Sequence, residues 1–335
     1  MNAAGPTHPS MGALRRNLVR SALVIAALLL LPLCLFPSGA DGAQIFEKVG
    51  TLGGQSLKIG VGARAAAMGD AYVALADDAT AVYWNPAGIA RLSGQSLTLN
   101  HTSWPANILF DQAGYVFSIK WIPGMLGVNV RALTMSRDKV RTTYLPEGTG
   151  ETFDAGEWAY GITYARALTD KFSAGFSLNY VQTGLDDVKG SSTTFDFGTL
   201  YDVGVLGAKI GMAIQNIGSE MTFIDEKVKM PVFFRVGGSF DVMQRGDSRL
   251  IAAAEFTHPP DNSEKVNVGA EYGFHDYLFL RGGYKLNYDT EGLTAGFGVK
   301  FPLTIVKSSV ARLDYAYQDM NFLSAAHRVS VNVSF

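Results

Sequence analysis

The residue types that most often carry catalysis are few and far apart in this sequence. Beyond the N-terminal region the histidines are His101, His258, His275 and His327. Membrane-barrel enzymes use a nucleophile with a histidine base, or carboxylate pairs with a histidine, near the outer rim. No glycine-rich stretch stands between a strand and a helix as a phosphate loop would. The single cysteine, Cys34, excludes a disulfide framework and a cysteine-rich zinc site. The sequence therefore predicts no enzyme, no metal and no cofactor.

Charged side chains occur instead inside segments where large apolar residues alternate with small or polar ones. Alternation places such charges on one face of a strand, and the water-filled lumen of a membrane barrel tolerates charge. We expect these side chains to line a lumen and to pair with one another or with Arg64, Asp70 and Asp77. The expected lumen-facing set is Asp196, Asp202, Lys209, Arg235, Glu255, Glu271, Lys300, Arg312 and Asp314.

The composition is that of a folded, apolar chain. Of 335 residues, 47% are hydrophobic and 17% are charged, which is too little charge for a disordered protein or a coiled coil. The formal net charge is −2, so the chain lacks the basic excess of a nucleic-acid binder.

The N-terminus has the pattern of a secretory signal peptide. Arginines precede an apolar run over 22–36, and small residues follow at 37–40. The run is shorter than the roughly 20 residues of a spanning helix. We expect residues 1–40 to be a signal peptide, cleaved at a site from Ala40 to Ala43; an uncleaved anchor is the alternative. The mature chain is then exported.

The two-residue period of a β-strand recurs from residue 96 to the end of the chain. For example, Phe176 and Leu178 share one face while Ser177 and Asn179 share the other. Each such segment has about the length that a tilted strand needs to cross a bilayer. The expected strands lie at 96–104, 111–121, 125–135, 157–167, 171–182, 194–203, 207–216, 232–242, 249–257, 264–274, 277–286, 292–301, 309–318 and 326–335.

The connections follow a second pattern. Those after odd-numbered strands are long or polar, as over 137–156, 183–193 and 217–231, whereas those after even-numbered strands, such as 122–124, are tight. Bacterial outer-membrane barrels have long loops outside and short turns in the periplasm. We therefore predict an all-β fold: a 14-stranded antiparallel transmembrane β-barrel over 96–335, in the bacterial outer membrane, with both mature termini periplasmic.

The last strand carries a pattern of its own. Val329, Val331, Val333 and the terminal Phe335 share its apolar face. An amphipathic strand that ends on an aromatic residue resembles the signal by which outer-membrane barrels are assembled, so we expect a contact with the barrel-assembly machinery. Outer-membrane lipid is the expected surrounding. A secreted β-sandwich or propeller is the alternative, because its strands also alternate.

Residues 44–95 differ from the rest of the mature chain. The stretch 63–76 is rich in helix formers, and Met68, Tyr72 and Leu75 fall on one helical face. Asp77 or Asp78 could cap a second short helix over 79–83. Since side chains alone fill only barrels of about eight strands, this slender segment could plug a wider lumen. We expect a short N-terminal helical hatch there.

This segment resembles the N-terminal signature of the PorV/PorQ family of outer-membrane proteins, through its runs 57–74, 77–81 and 83–88. The Asn-Pro-Ala-Gly element of the last run is shared with the wider FadL-like group of fourteen-stranded barrels with an N-terminal hatch. The hatch residues that the resemblance marks are Gly62, Arg64, Met68, Gly69, Asp70, Asp77, Asp78, Trp84, Asn85, Pro86, Ala87 and Gly88.

The resemblance implies two functions. FadL-like members carry hydrophobic molecules through the outer membrane, whereas PorV-like members serve type IX protein secretion. The expectation taken forward is a barrel that passes or binds hydrophobic small molecules in a FadL-like manner, with Pro86 in a hatch bend that moves. The alternative is a PorV-like secretion accessory that acts in shuttling or surface attachment. The expected partner is thus a hydrophobic solute or a secreted protein, and not a nucleic acid.

Overall fold

The computed structural model describes residues 50–303 and 309–335. The predicted signal peptide and its cleavage site lie outside the described residues. Within them, no helix has the length and apolar character that a membrane-spanning helix requires.

The main chain from residue 96 onward forms a closed antiparallel β-barrel of fourteen strands, which confirms the predicted fold class. Each strand pairs with its neighbours in sequence, and the last strand closes the barrel by pairing with the first, Ser96 opposite Ser334. The strands are β1 Ser96–Trp104, β2 Ile108–Ile119, β3 Ile122–Met135, β4 Ala155–Ala167, β5 Phe172–Leu185, β6 Val188–Asp202, β7 Lys209–Gly218, β8 Phe233–Arg245, β9 Ser248–His258, β10 Lys265–Phe274, β11 Leu278–Leu286, β12 Leu293–Leu303, β13 Ser309–Gln318 and β14 Ala326–Ser334.

The strands are apolar outside and polar inside. On β5, Ser177 and Asn179 are at most 1% exposed, whereas Phe176 and Leu178 are about 40% exposed (40% and 38%). A soluble sandwich would bury the phenylalanine and expose the serine, because water favours polar surface. The inverted arrangement is that of a barrel whose outer face contacts lipid.

Two predicted connections are wrong. The polar stretch 183–193 is not a loop, because β5 and β6 continue through it and only Asp186 and Asp187 form the turn. Where strands extend past the apolar band, both of their faces contact water. Polar residues then occur on both faces, and the sequence there resembles that of a loop. The predicted turn at 122–124 also belongs to β3, which begins at Ile122.

The other connections keep the predicted alternation in broad outline. Long connections follow β3 and β7, over 136–154 and 219–232, and each contains a short hairpin. Only two residues connect β2 to β3 and β8 to β9. The hairpin strands are Asp138–Lys139 with Thr152–Phe153, and Met221–Phe223 with Glu226–Val228.

Residues 50–95, which we call the inner segment, lie inside the barrel. It contains two short helices, α1 Ala63–Ala67 and α2 Ala81–Trp84, which lie between 3-10 turns at Gln55–Lys58 and Pro86–Arg91. The predicted helix over 63–76 is wrong beyond Ala67, because Gly69 and Asp70 take positive φ angles of 66° and 63° that no right-handed helix contains. The predicted second helix over 79–83 begins two residues later than expected, at Ala81.

Candidate functional site in the barrel lumen

Glycines on the inner barrel wall allow the inner segment to approach at backbone distance. A Cβ on Gly175 would lie 2.5 Å from the carbonyl carbon of Pro86, and one on Gly283 would lie 2.3 Å from the nitrogen of Gly69. Real Cβ atoms do not come that near to backbone, so no larger residue fits there without displacing the segment. The backbone of the segment comes equally near to Gly211 and Gly269, and side chains of the segment come close to Gly198, Gly237 and Gly296.

The Asn-Pro-Ala-Gly element forms a packed corner between the inner segment and the wall. Asn85 is extended, with φ −159°, as expected for a residue before proline. Its Nδ2 donates to the carbonyls of Val73 (2.9 Å) and Thr199 (3.0 Å), and its Oδ1 accepts from the amide of Ala87 (3.1 Å). A Cβ on Gly88 would lie 2.1 Å from the carbonyl oxygen of Ala76. Each polar atom of the Asn85 side chain therefore fixes the corner.

Replacement of Asn85 by alanine should loosen this corner. The change leaves two buried carbonyls and one amide without their partner, at about 1 to 3 kcal/mol for each unsatisfied group. We expect faster amide hydrogen exchange over 84–91, with little change over 63–67. Gln244→Ala, at the exposed end of β8, is the control and should change neither. Unchanged exchange over 84–91 in Asn85→Ala would contradict this role.

A buried carboxylate on β9 binds the middle of the inner segment. Glu255 Oε2 accepts the backbone amides of Tyr72 (2.9 Å) and Val73 (2.8 Å). Its Oε1 accepts from Arg235 Nη1 at 2.9 Å, and both side chains are buried. A charged acceptor makes hydrogen bonds roughly twice as strong as a neutral one. Glu255 thus joins the wall to the backbone of the segment.

A continuous ion-pair network joins the inner segment to the wall at two points. Arg64 Nε and Nη2 donate to Glu271 at 2.7 and 2.8 Å. Arg281 donates to Glu271 at 2.6 Å and to Asp314 at 2.7 Å. Arg312 donates to Asp314 at 2.9 Å and to Asp78 of the segment at 2.7 Å. Arg64 also pairs with Asp77. Alternating charge signs make the buried network self-neutralising.

The structure brings most of the predicted lumen-facing residues together. Asp196, Arg235, Glu255, Glu271 and Asp314 are buried on the inner face, and Arg312 is partly buried there. Asp202, Lys209 and Lys300 lie apart, near the end of the barrel that carries the short turns. Asp202 stands opposite Lys209 in register, and Lys300 pairs with Asp276 of a turn at 2.7 Å.

The predicted lumen-facing set omits several charged side chains of the inner face. Glu157 accepts from Ser56, and Lys285 pairs with both Asp70 and Glu291. Arg281 and Arg328 are likewise buried on the inner face. Each stands on the small or polar side of its strand, so the alternation that marked the other charges could have found these too.

The other residues predicted for the hatch and for the assembly signal lie in the inner segment and on the outer face of β14. Gly62 precedes α1 with φ 89°, and Met68 is fully buried. Trp84 Nε1 donates to the carbonyl of Val61 at 2.8 Å. On β14, Val329 and Val331 face outward, at 42% and 37% exposure. That apolar outer face is the surface on which the predicted assembly signal rests.

Two carboxylates of the inner segment should make its packing depend on pH. Burial raises the pKa of Asp70, but Lys285 and Arg328 lower it more, so it falls below its ordinary 3.8. Burial likewise raises the pKa of Asp78, and Arg312 and Arg64 bring it below 3.8. A lowered folded-state pKa contributes stability that is complete above the unfolded pKa and is lost as pH falls through the folded one.

The inner segment should therefore stay packed between pH 7 and 5 and loosen below about pH 3.8. Near-ultraviolet circular dichroism of the detergent-solubilised barrel measures this, because Tyr72, Tyr83 and Trp84 form one buried aromatic group. Asp78→Asn should weaken the aromatic signal at pH 7 and reduce its change on acidification. A loss of signal between pH 7 and 5 would refute the assignment to these carboxylates.

A polar cavity of about 240 Å³ lies beside the inner segment, at the end of the barrel opposite Phe335. Its lining includes four cationic side chains, two carboxylates and the rings of Trp84, Trp104 and Tyr288. We call it the rim cavity. No group of three metal-ligating side chains occurs in the described ranges. The rim cavity is thus suited to polar ligands, in contrast to the apolar pocket that passage of a hydrocarbon requires.

Solved structures of outer-membrane transporters share this barrel fold. The Ralstonia pickettii toluene transporter TbuX is similar at 16% identity, with a TM-score of 0.60 over 82% of this chain and 98% of that one. A Pseudomonas aeruginosa FadL homologue has 10% identity and a TM-score of 0.54 over 83% and 98% of the chains. The Pseudomonas putida toluene transporter TodX has 12% identity and a TM-score of 0.52 over 76% and 92%. At these identities the likeness shows the fold.

Residues 44–259 match the family model described as type IX secretion system protein PorV. The chain belongs to this family, as its N-terminal signature predicts. No curated protein matches the sequence. The names of the family and of the solved structures describe a secretion-system protein and transporters, and none describes an enzyme.

Proposed function

We propose that this chain is an outer-membrane component of a protein secretion system, in the manner of PorV. The observation that carries the proposal is the way in which the lumen is filled. Carboxylates, arginines and backbone-to-glycine contacts fix the inner segment on several sides of the wall. Beside the segment lies a polar cavity of about 240 Å³. A barrel closed in this way serves best as a platform whose loops bind a protein.

The lengths of the connections support an orientation with both mature termini in the periplasm. Because the strand count is even, the start of β1 and the end of β14 lie at the same end of the barrel, the end with the short turns. In bacterial barrels the short turns face the periplasm. The long connections 136–154 and 219–232 then face outward, where they expose Tyr144 (93%) and Ile224 (77%). These exposed apolar side chains are available for contact with an exported protein. The outward-facing valines of β14 would engage the barrel-assembly machinery.

Cross-linking in intact cells tests this role. The full chain, purified after cross-linking, should retain exported proteins that share a common C-terminal domain. A variant with 219–232 replaced by a short turn should fold, as heat-modifiable gel migration would show, and retain fewer of them. Recovery of no exported protein by the wild-type barrel would refute the proposal.

Passage of a small hydrophobic molecule is the second candidate, favoured by the fold shared with the toluene transporters TbuX and TodX. It requires that the inner segment move, with the corner at Pro86 as the displaced element. A defined apolar ligand in the mass spectrum of the gently purified barrel would support it. Hydrocarbon uptake that is unchanged by deletion of residues 45–90 would exclude a hatch mechanism.

A further inference from the structure

Among the described residues that line the rim cavity, one buried cation forms no ion pair. Lys58 pairs with Asp261, Arg235 with Glu255, and Lys285 with Asp70 and Glu291. Arg328 also lines the cavity and is 1% exposed. Across residues 50–303 and 309–335, no carboxylate comes within 4.0 Å of its guanidinium nitrogens to form an ion pair.

The contacts of Arg328 fix its orientation without neutralising it. Its Nη1 donates to the carbonyl of Gly60, and its Nη2 donates to Gln318 Oε1 at 2.9 Å. The guanidinium lies 5.4 Å from the centre of the Trp104 ring. Its Nε is buried and has no hydrogen-bond partner in the part of the chain that is described. A buried charge is costly unless it is paired, so this guanidinium is prepared for an anion.

A second residue that lines the same cavity also has an unpartnered atom. Asp70 is buried and lines the cavity, and its Oδ2 pairs with Lys285. Its Oδ1 accepts no hydrogen bond from any described residue. Because a carboxylate oxygen only accepts, a ligand that meets it must present a donor such as a hydroxyl. A ligand that contacts both residues therefore needs an anionic group for Arg328 and a hydrogen-bond donor for Asp70.

We propose that the rim cavity binds a small hydroxylated oxyanion of sugar-acid type, with a carboxylate or phosphate group toward Arg328 and a hydroxyl toward Asp70. The cavity, about 240 Å³, is slightly smaller than the roughly 300 to 1,000 Å³ of pockets for drug-sized ligands, so it suits a single small ring. This site is independent of the proposed secretion role.

Titration calorimetry on the full, detergent-solubilised barrel tests the proposal with four probes at matched ionic strength: glucuronate, glucose 6-phosphate, glucose and inorganic phosphate. We expect at least one of the two sugar acids to bind at least about tenfold more tightly than glucose, since a hydrogen bond to a charged group contributes that much. Equal binding of all four probes, or binding of none, would overturn the proposal. If inorganic phosphate binds as tightly as the better sugar acid, a ligand hydroxyl does not contribute to binding through Asp70, and that part of the proposal is wrong.

Arg328→Gln should weaken binding of the sugar acid about tenfold, whereas Lys120→Gln, in the exposed turn before β3, should leave it unchanged. Since Arg328 is buried, heat-modifiable migration must show that the variant folds. If it does not, Lys58→Gln provides the test, because that side chain is 25% exposed and lines the same cavity. It should weaken binding several-fold. Wild-type affinity in the folded variant would overturn the proposal.

Discussion

Replacement of Glu255 by alanine is expected to release the middle of the inner segment from the barrel wall. The change removes the acceptor of the Tyr72 and Val73 amides and leaves Arg235 buried without its carboxylate. Removal of one partner of a buried ion pair costs about 3 to 5 kcal/mol, because the other charge is left uncompensated. Amide hydrogen exchange of a peptide that contains residues 72 and 73 should therefore accelerate by a factor of about 100 or more.

Two matched variants separate charge from shape. Glu255→Gln keeps an oxygen acceptor but loses the charge, so its exchange should fall between that of the wild type and that of Glu255→Ala. Glu226→Ala removes an exposed carboxylate from the hairpin after β7 and should change nothing. If Glu255→Ala leaves the exchange of residues 72 and 73 at the wild-type rate, Glu255 does not fix the segment.

The barrel could be predicted from the sequence because its two faces meet different solvents. Lipid outside and a polar lumen inside impose a strict two-residue period, and that period gave the fourteen strands. The same physics explains the errors at 183–193 and 122–124. Where β5 and β6 extend beyond the apolar band, or where a turn is only two residues long, no difference between the faces remains to mark the strand.

The inner segment was less predictable because its conformation depends on the wall around it. Helix propensity favours a helix over 63–76, but the chain turns at Gly69 and Asp70, where β10 and β11 provide glycines for its backbone and Lys285 pairs with Asp70. Such tertiary contacts leave no local signal. Alternation places Arg328 on the inner face of β14, but its contacts with Gly60 and Trp104 are known only once β14 closes on β1 around the inner segment.

The tight fit of the inner segment should make Gly283 intolerant of any side chain. A Cβ at this position of β11 would lie 2.3 Å from the nitrogen of Gly69 and 2.4 Å from the carbonyl carbon of Met68. Both atoms belong to backbone, which cannot rotate aside as a flexible side chain can. Overpacking of this kind costs about 1 to 3 kcal/mol, and more where the neighbours are rigid. We expect Gly283→Ala to displace the segment around Met68 and to accelerate amide exchange over 63–72.

The neighbouring glycine of the same strand provides the control. A Cβ on Gly282 points away from the lumen and comes no nearer than 4.0 Å to the backbone oxygen of Thr294. Gly282→Ala should therefore leave exchange over 63–72 unchanged. In Gly283→Ala the corner over 84–91 should keep its protection, because it lies against Gly175 and Gly198 on other strands. If both alanine variants behaved alike, the inner segment would not be held by close contact with the wall at β11, and the ion pairs alone would have to account for its position.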